Sequence, residues 1–216
     1  MNLSCRVDHL VLACADLAAG AAHVRALLGV ELQPGGRHPL MGTHNALLRL
    51  GPRSYLEVIA VDPGLPGPAR PRWFELDRLG PADTPRLATW VARTDDIAGA
   101  VAACPEPLGE ILPMTRDDLA WRIAVPPDGH LHAGGVLPAL IQWDTGRHPA
   151  ARLEDRGCSL AGLTGRIPAH ALDPVRSALG SLGLLGALEL VPALPSAAAP
   201  QLVARIATPA GEITLG

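Results

Sequence analysis

Short apolar stretches broken by polar turns recur along the chain, and their spacing predicts strands with a few interleaved helices. Val7-Asp8-His9-Leu10-Val11-Leu12 reads as a partly buried strand. Asp16 then caps a helix carrying Leu17, Ala21, Val24, Leu27 and Leu28, and Gly29 ends it. Residues 30–33, 45–50 and 55–60 supply three more strands, the last two joined by the turn Gly51-Pro52-Arg53-Ser54. The stretch from Asp62 to Pro71 carries too many prolines and glycines for a helix or a central strand and reads as a linker.

The same order returns after the linker. Residues 87–92 read as a strand, Asp95 or Asp96 caps a helix through Ile97 and Val101, and Pro105 ends it. Strands follow at 108–114, 120–125 and 139–143. Aligning Asp16 with Asp96 gives an offset of 80, which sets His9 against Thr89, while the last strands set Glu57 against Gln142. A weaker third copy has a strand at 160–167, a helix opened by Asp173-Pro174, and strands at 188–191, 202–207 and 212–215. The expected class is therefore α+β, built from βαβββ units at 1–62, 85–150 and, more loosely, 151–216, with a Pro/Gly-rich linker at 63–84.

Composition narrows the function classes. With 216 residues and 48% hydrophobic content the chain can bury a core. A net charge of −3 gives no basic footprint for nucleic acid, and one Tyr and one Phe make a poor stacking platform for single strands. All 18 basic residues are arginine, so Schiff-base lysine chemistry is excluded and arginine is the sole fixed cation for an acidic ligand. Cys5, Cys14, Cys104 and Cys158 are scattered without a C-x-x-C pair, which points to buried, reduced thiols in a cytoplasmic protein. The apolar runs at 10–15 and 182–194 are too short to span a bilayer, so no membrane partner is expected. No P-loop, dinucleotide glycine fingerprint, G-x-S-x-G elbow or H-E-x-x-H motif occurs.

Paired βαβββ units with a His on the first strand and a Glu on the fourth resemble the vicinal oxygen chelate superfamily of glyoxalases, extradiol dioxygenases and bleomycin-resistance proteins. Gly36-Arg37-His38-Pro39-Leu40-Met41-Gly42-Thr43-His44-Asn45, followed by Tyr55-Leu56-Glu57-Val58-Ile59, is similar to the signature of its glyoxalase-like domain family. Ile141-Gln142-Trp143-Asp144, with His148-Pro149 beyond, resembles that family's later motif. The resemblance implies that two units curl into one cup of mixed sheet, with metal ligands on the first and fourth strands of each. It implies His9 and Glu57 as ligands of a divalent metal, a half-site because Thr89 and Gln142 are weak partners.

His44 and Asn45 open the strand in the most family-like stretch. His44 is read as a third ligand or catalytic partner of Glu57 and Asn45 as a substrate contact, or both as residues of a local turn. His38 is a weaker substrate-binding candidate from the same loop, Gln142 could offer its amide oxygen, and Arg122, if it points inward, suits a substrate carboxylate or phosphate. Two functions stay open: a metal-assisted lyase, isomerase or dioxygenase on a small oxygenated substrate, or a metal-free small-molecule binding or sequestering protein. The odd third unit leaves a sheet edge through which two copies could pair as a homodimer.

Overall fold

The protein is seen as a computed structural model that describes residues 4–146, 148–193 and 199–216; the first three residues of the first unit and Leu194 of the 182–194 run lie outside the described residues. The first unit contains β1 (Arg6–Ala13), α1 (Leu17–Leu28), β2 (Gln33–His38), β3 (Thr43–Gly51) and β4 (Ser54–Val61). The second contains β5 (Arg86–Arg93), α2 (Ile97–Ala103), β6 (Glu110–Arg116), β7 (Leu119–Val125) and β8 (Ala139–Trp143). Together they form one curved, cup-like sheet of order β2-β3-β4-β1-β5-β8-β7-β6. In each unit the first strand pairs in parallel with the fourth, and the units meet where β1 runs antiparallel to β5.

The helix caps are those expected. Asp16 accepts from Ala19 N at 2.8 Å and Asp96 from Gly99 N at 2.9 Å, each satisfying a donor of the first turn. The second strand lies further along than its apolar residues suggest, running through Pro34-Gly35-Gly36 to His38. That composition is tolerated because β2 is an edge strand and its register shifts between Pro34 and Arg37.

The offset of 80 appears in the register itself. His9 pairs with Val91 and Val11 with Thr89, and each strand carries one unpaired residue at a bulge, Asp8 in β1 and Ala88 in β5. The fourth strands do not align as the sequence suggested. Val11 pairs with Glu57 and Val91 with Ala139, so the counterpart of Glu57 is Ala139, three residues before Gln142.

The C-terminal segment folds as β9 (Ser159–Ile167), α3 (Leu172–Ser181), β10 (Glu189–Pro192), β11 (Gln201–Thr208) and β12 (Gly211–Leu215). Its element order repeats the first two units, but its strand order, β10-β9-β11-β12, places the first strand centrally and pairs it in parallel with the second. The helix begins before Asp173, which lies in the first turn together with Pro174, where a missing N–H leaves no hydrogen bond unmade.

The sheet divides the apolar residues into two layers. On its convex side Leu10, Leu12, Val24, Leu56, Trp90 and Leu140 share one core with Ile167, Leu179, Leu202 and Ile206 of the C-terminal unit. On its concave side Val11, Ile59, Val91, Met114 and Ile123 pack against Trp73, Phe74 and Leu76. The 63–84 segment is thus more than a connection: its short 3-10 stretch Trp73–Arg78 fills part of the cup.

Candidate functional site

The site starts at the β1 bulge. Strict alternation would turn Asp8 away from His9, but the unpaired residue at a bulge is re-aimed. The Asp8 carboxylate, fully buried, lies 2.7 Å from His9 Nδ1 and 3.0 Å from both His148 Nε2 and Trp143 Nε1. Burial alone would raise the Asp8 pKa, but the hydrogen bonds from His148 and His9 outweigh it and hold the carboxyl well below the usual range. An ionised carboxylate only accepts, so all three nitrogens donate to it. His148 is fixed independently as the Nε2–H tautomer, because its Nδ1 accepts from Ala150 N at 3.2 Å.

Donation from Nδ1 leaves His9 Nε2 facing Glu57 Oε2 across 3.6 Å. The Tyr55 ring stacks on the imidazole at 4.6 Å between centroids and holds its plane. The other oxygen of Glu57 accepts from Asn45 Nδ2, while Asn45 Oδ1 accepts from Gly36 N at 2.8 Å. The glycines of β2 make this approach possible: a Cβ at Gly35 would stand 2.0 Å from Asn45 Oδ1.

Across the mouth, His38 on β2 meets Arg116 on β6. His38 Nδ1 donates to Thr43 Oγ1 at 3.0 Å, and its Nε2 accepts from Arg116 Nη1 at 3.3 Å. Burial first, and then the Arg116 charge, push the His38 pKa down to about 3, so the ring is neutral. The recess between these groups is open to solvent, and its volume of about 350 Å³ includes part of that open space. Tyr55, Trp73, Phe74, Trp121 and Trp143 line it, five of the six aromatic residues in the chain.

Of the residues singled out from sequence, His9, Glu57 and His38 line the recess, and Asn45 stands directly behind Glu57. His44, the neighbour of Asn45 on an alternating strand, faces the other way toward Asp62, 3.9 Å off. Arg122 lies on the convex side in an ion pair with Asp144 at 2.8 Å, which corrects its reading as an inward anion clamp. Gln142 is also convex: its Oε1 accepts from Ile97 N at 2.9 Å and caps α2, so it offers nothing to the cup. Three cysteines are buried, while Cys104 is partly exposed; all four are free thiols.

Sequence reasoning missed Asp8, Arg116 and the Trp73–Phe74 pair. Arg116 had a signal, since it continues the Leu112 and Met114 face of a strand that runs two residues beyond its expected end. Trp73 and Phe74 are adjacent rings in an otherwise Pro-rich stretch, a concentration of apolar surface that a plain linker would not carry.

The donors do not complete a divalent metal site. Thr89, the counterpart of His9, donates its hydroxyl to Gly135 O at 3.1 Å, and Ala139, the counterpart of Glu57, has no donor atom in its side chain. Among the described residues no three His, Cys, Asp or Glu groups come together to hold a metal ion. Of the ligands expected from sequence, His9 and Glu57 alone share the recess with the fixed positive charge of Arg116.

The family model described as a glyoxalase-like domain matches residues 7–181. No curated protein matches the chain. Among solved structures, a hypothetical protein from Staphylococcus aureus is 14% identical over 82% of this chain and 75% of its own, with a TM-score of 0.55. A xylose isomerase-like TIM barrel/4-hydroxyphenylpyruvate dioxygenase fusion protein is 16% identical over 94% of this chain and 35% of its own, with a TM-score of 0.52. Streptomyces coelicolor methylmalonyl-CoA epimerase is 23% identical over 66% of this chain and 99% of its own, with a TM-score of 0.43. At these identities the two likenesses with TM-scores of 0.55 and 0.52 speak to the fold alone, and the family match covers most of the chain: the protein belongs to the glyoxalase-like domain family of the vicinal oxygen chelate superfamily.

Proposed function

We propose that the cup is the active site of a small-molecule isomerase or lyase that moves a proton on an oxygenated substrate, with Glu57 and the Asp8-held His9 as its acid–base pair. One observation carries this reading: His9 Nε2 and Glu57 Oε2 face each other across 3.6 Å in a buried recess, with the opposite edge of the imidazole fixed by Asp8. Glu57 takes a proton from carbon next to a carbonyl, the electron pair moves onto the carbonyl oxygen on the Arg116 side, and His9 shares the proton across the gap before its return. The scheme needs no oxidant, and no step runs through a metal because the donor set among the described residues does not complete a site for one.

Solvent-deuterium exchange into a panel of small oxo- and hydroxy-acids, followed by NMR with chelator present, tests the reading. Exchange that persists under chelation and is lost in Glu57→Gln supports it. Exchange that needs an added divalent metal, or that Glu57→Gln leaves intact, contradicts it.

The ring of five aromatic side chains around the recess also favours the second reading, a metal-free binding or sequestering protein. That protein would be stabilised by ligand without exchanging a proton. Four free thiols are in keeping with a cytoplasmic location. A homodimer would pair through β10 or β12, the open edges of the second sheet; sedimentation at high concentration showing only monomer would remove it.

A further inference from the structure

We infer that the recess takes the carboxylate of a planar or aromatic acid, held between the Arg116 guanidinium and the indole N–H of Trp73. The inference rests on the cup being the functional site and names the ligand class it would accept.

The first observation is an unmatched charge. Among the described residues, Arg116 is the one arginine that is not exposed and yet pairs with no carboxylate. The other partly buried arginines all have one: Arg49 with Asp155, Arg70 with Glu110, Arg72 with Asp77, Arg86 with Glu75, Arg93 with Asp8 and Arg122 with Asp144. Arg116 instead touches the neutral His38, lies 3.5 Å from Asn45 Oδ1 and covers the Trp121 ring with its Cζ 5.9 Å from the centroid. A guanidinium half-withdrawn from water and lying on an indole, with Nη1 turned to His38, keeps its Nε and Nη2 for a carboxylate.

The second observation is independent of the first. Trp73, 3% exposed and lining the same recess, has a buried Nε1 with no hydrogen-bond partner among the described residues. Of the other indoles, buried Trp90 and half-buried Trp143 donate to Val136 O and Asp8. A buried N–H without an acceptor is unfavourable, and the backbone that places it is strained as well. Phe74 and Glu75, the next two residues, both adopt left-handed φ values of 59° and 57° without being glycine. Trp73 is thus held at the wall of the recess against two local preferences.

The shape and charge of the walls select among anions. Trp73 stacks on Phe74 with centroids 5.3 Å apart and planes 18° from parallel, and Trp121 leans on Trp143, so the space is bounded by flat rings. One guanidinium and one neutral donor balance a single negative charge. A dianionic phosphate would add a second charge to a recess that already holds Glu57.

Titration calorimetry of the protein with benzoate, benzamide and phenyl phosphate tests this. Benzoate should bind, benzamide at least roughly tenfold more weakly, and Arg116→Gln should lose about tenfold to a hundredfold in benzoate affinity, the range for a charge-assisted hydrogen bond. Trp73→Phe, which keeps the ring and removes the N–H, should lose about threefold to tenfold. Absent benzoate binding, benzamide binding as well as benzoate, phenyl phosphate binding more tightly, or Trp73→Phe and Arg116→Gln both matching wild type would each overturn the inference. The benzamide comparison uses wild-type protein and stands even if a variant misfolds. Binding that survives while deuterium exchange is absent removes the proton-transfer reading alone, and exchange without benzoate binding removes this one alone.

Discussion

Asp8 holds the site together, because one buried carboxylate satisfies three nitrogens from three parts of the chain, His9, Trp143 and His148. Replacing it with Asn keeps the volume but removes the charge and one acceptor. Asp8→Asn should lose about 2–4 kcal/mol of stability at pH 7, read from urea unfolding. Its folded pKa is depressed, so its contribution is complete above the ordinary carboxylate value near ~4 and is lost as pH falls below that. His38 acts in another window. Its folded pKa of about 3 lies below the 6.5 of a free imidazole, so between these values the unfolded chain binds the proton and stability falls as pH is lowered. Wild type should therefore lose up to about 1.4 kcal/mol per pH unit below 6.5 through this group, and His38→Gln should flatten that slope while leaving the acid limb of Asp8 intact. A slope in the His38→Gln variant equal to wild type would contradict the assignment.

At the scale of elements, the two bulges 80 residues apart show both what duplication preserved and what it changed. The same kink aims Asp8 and His9 into the first half of the cup, and in the second half Ala88 and Thr89 occupy it without a charge. The second bulge is instead clamped by backbone: Thr89 and Trp90 donate to Gly135 O and Val136 O, and a Cβ on Gly135, whose φ is 92°, would stand 1.8 Å from Ala88 O. Gly135→Ala should lose about 2 kcal/mol or more, detected by thermal or chemical unfolding, whereas Gly146→Ala, with open space around it, should be nearly neutral. The same bulges mark how far sequence could be read. His9 and Glu57 were legible because alternation holds from His9 to Val11 beyond the bulge and along β4 to Ile59, which puts both on the concave face. Asp8 was not, because a bulge breaks the alternation that the reading relies on. Gln142 was misplaced by an alignment through a loop of different length, and a three-residue slip in a strand reverses the face. The edge strand β2 was displaced because Pro and Gly, which argue against strands elsewhere, are compatible with an edge and here clear space for Asn45.

For the molecule as a whole, the C-terminal unit is joined to the cup by burial, since Ile206 and Leu179 share a continuous core with Leu10 and Trp90. Leu179→Ala, in α3 and far from the recess, should therefore destabilise the entire protein by about 2–5 kcal/mol in a single transition. Cup tryptophan fluorescence and far-UV circular dichroism should move together; two separated transitions would show independent units. The paucity of aromatic residues, five of whose six line one recess, also looks different at this scale: the rings are concentrated at the site, and the convex core is built almost wholly from aliphatic side chains. The central claim is that this recess pairs a proton-sharing His9–Glu57 couple with a fixed guanidinium in place of a bound cation. Metal analysis of protein purified without chelator, combined with melting in the presence of Mn, Fe, Ni, Zn and Mg, tests it most directly. Well under one metal per chain and no metal-dependent rise in Tm are expected. One tightly held divalent ion per chain, lost in His9→Ala and in Glu57→Gln, would contradict it.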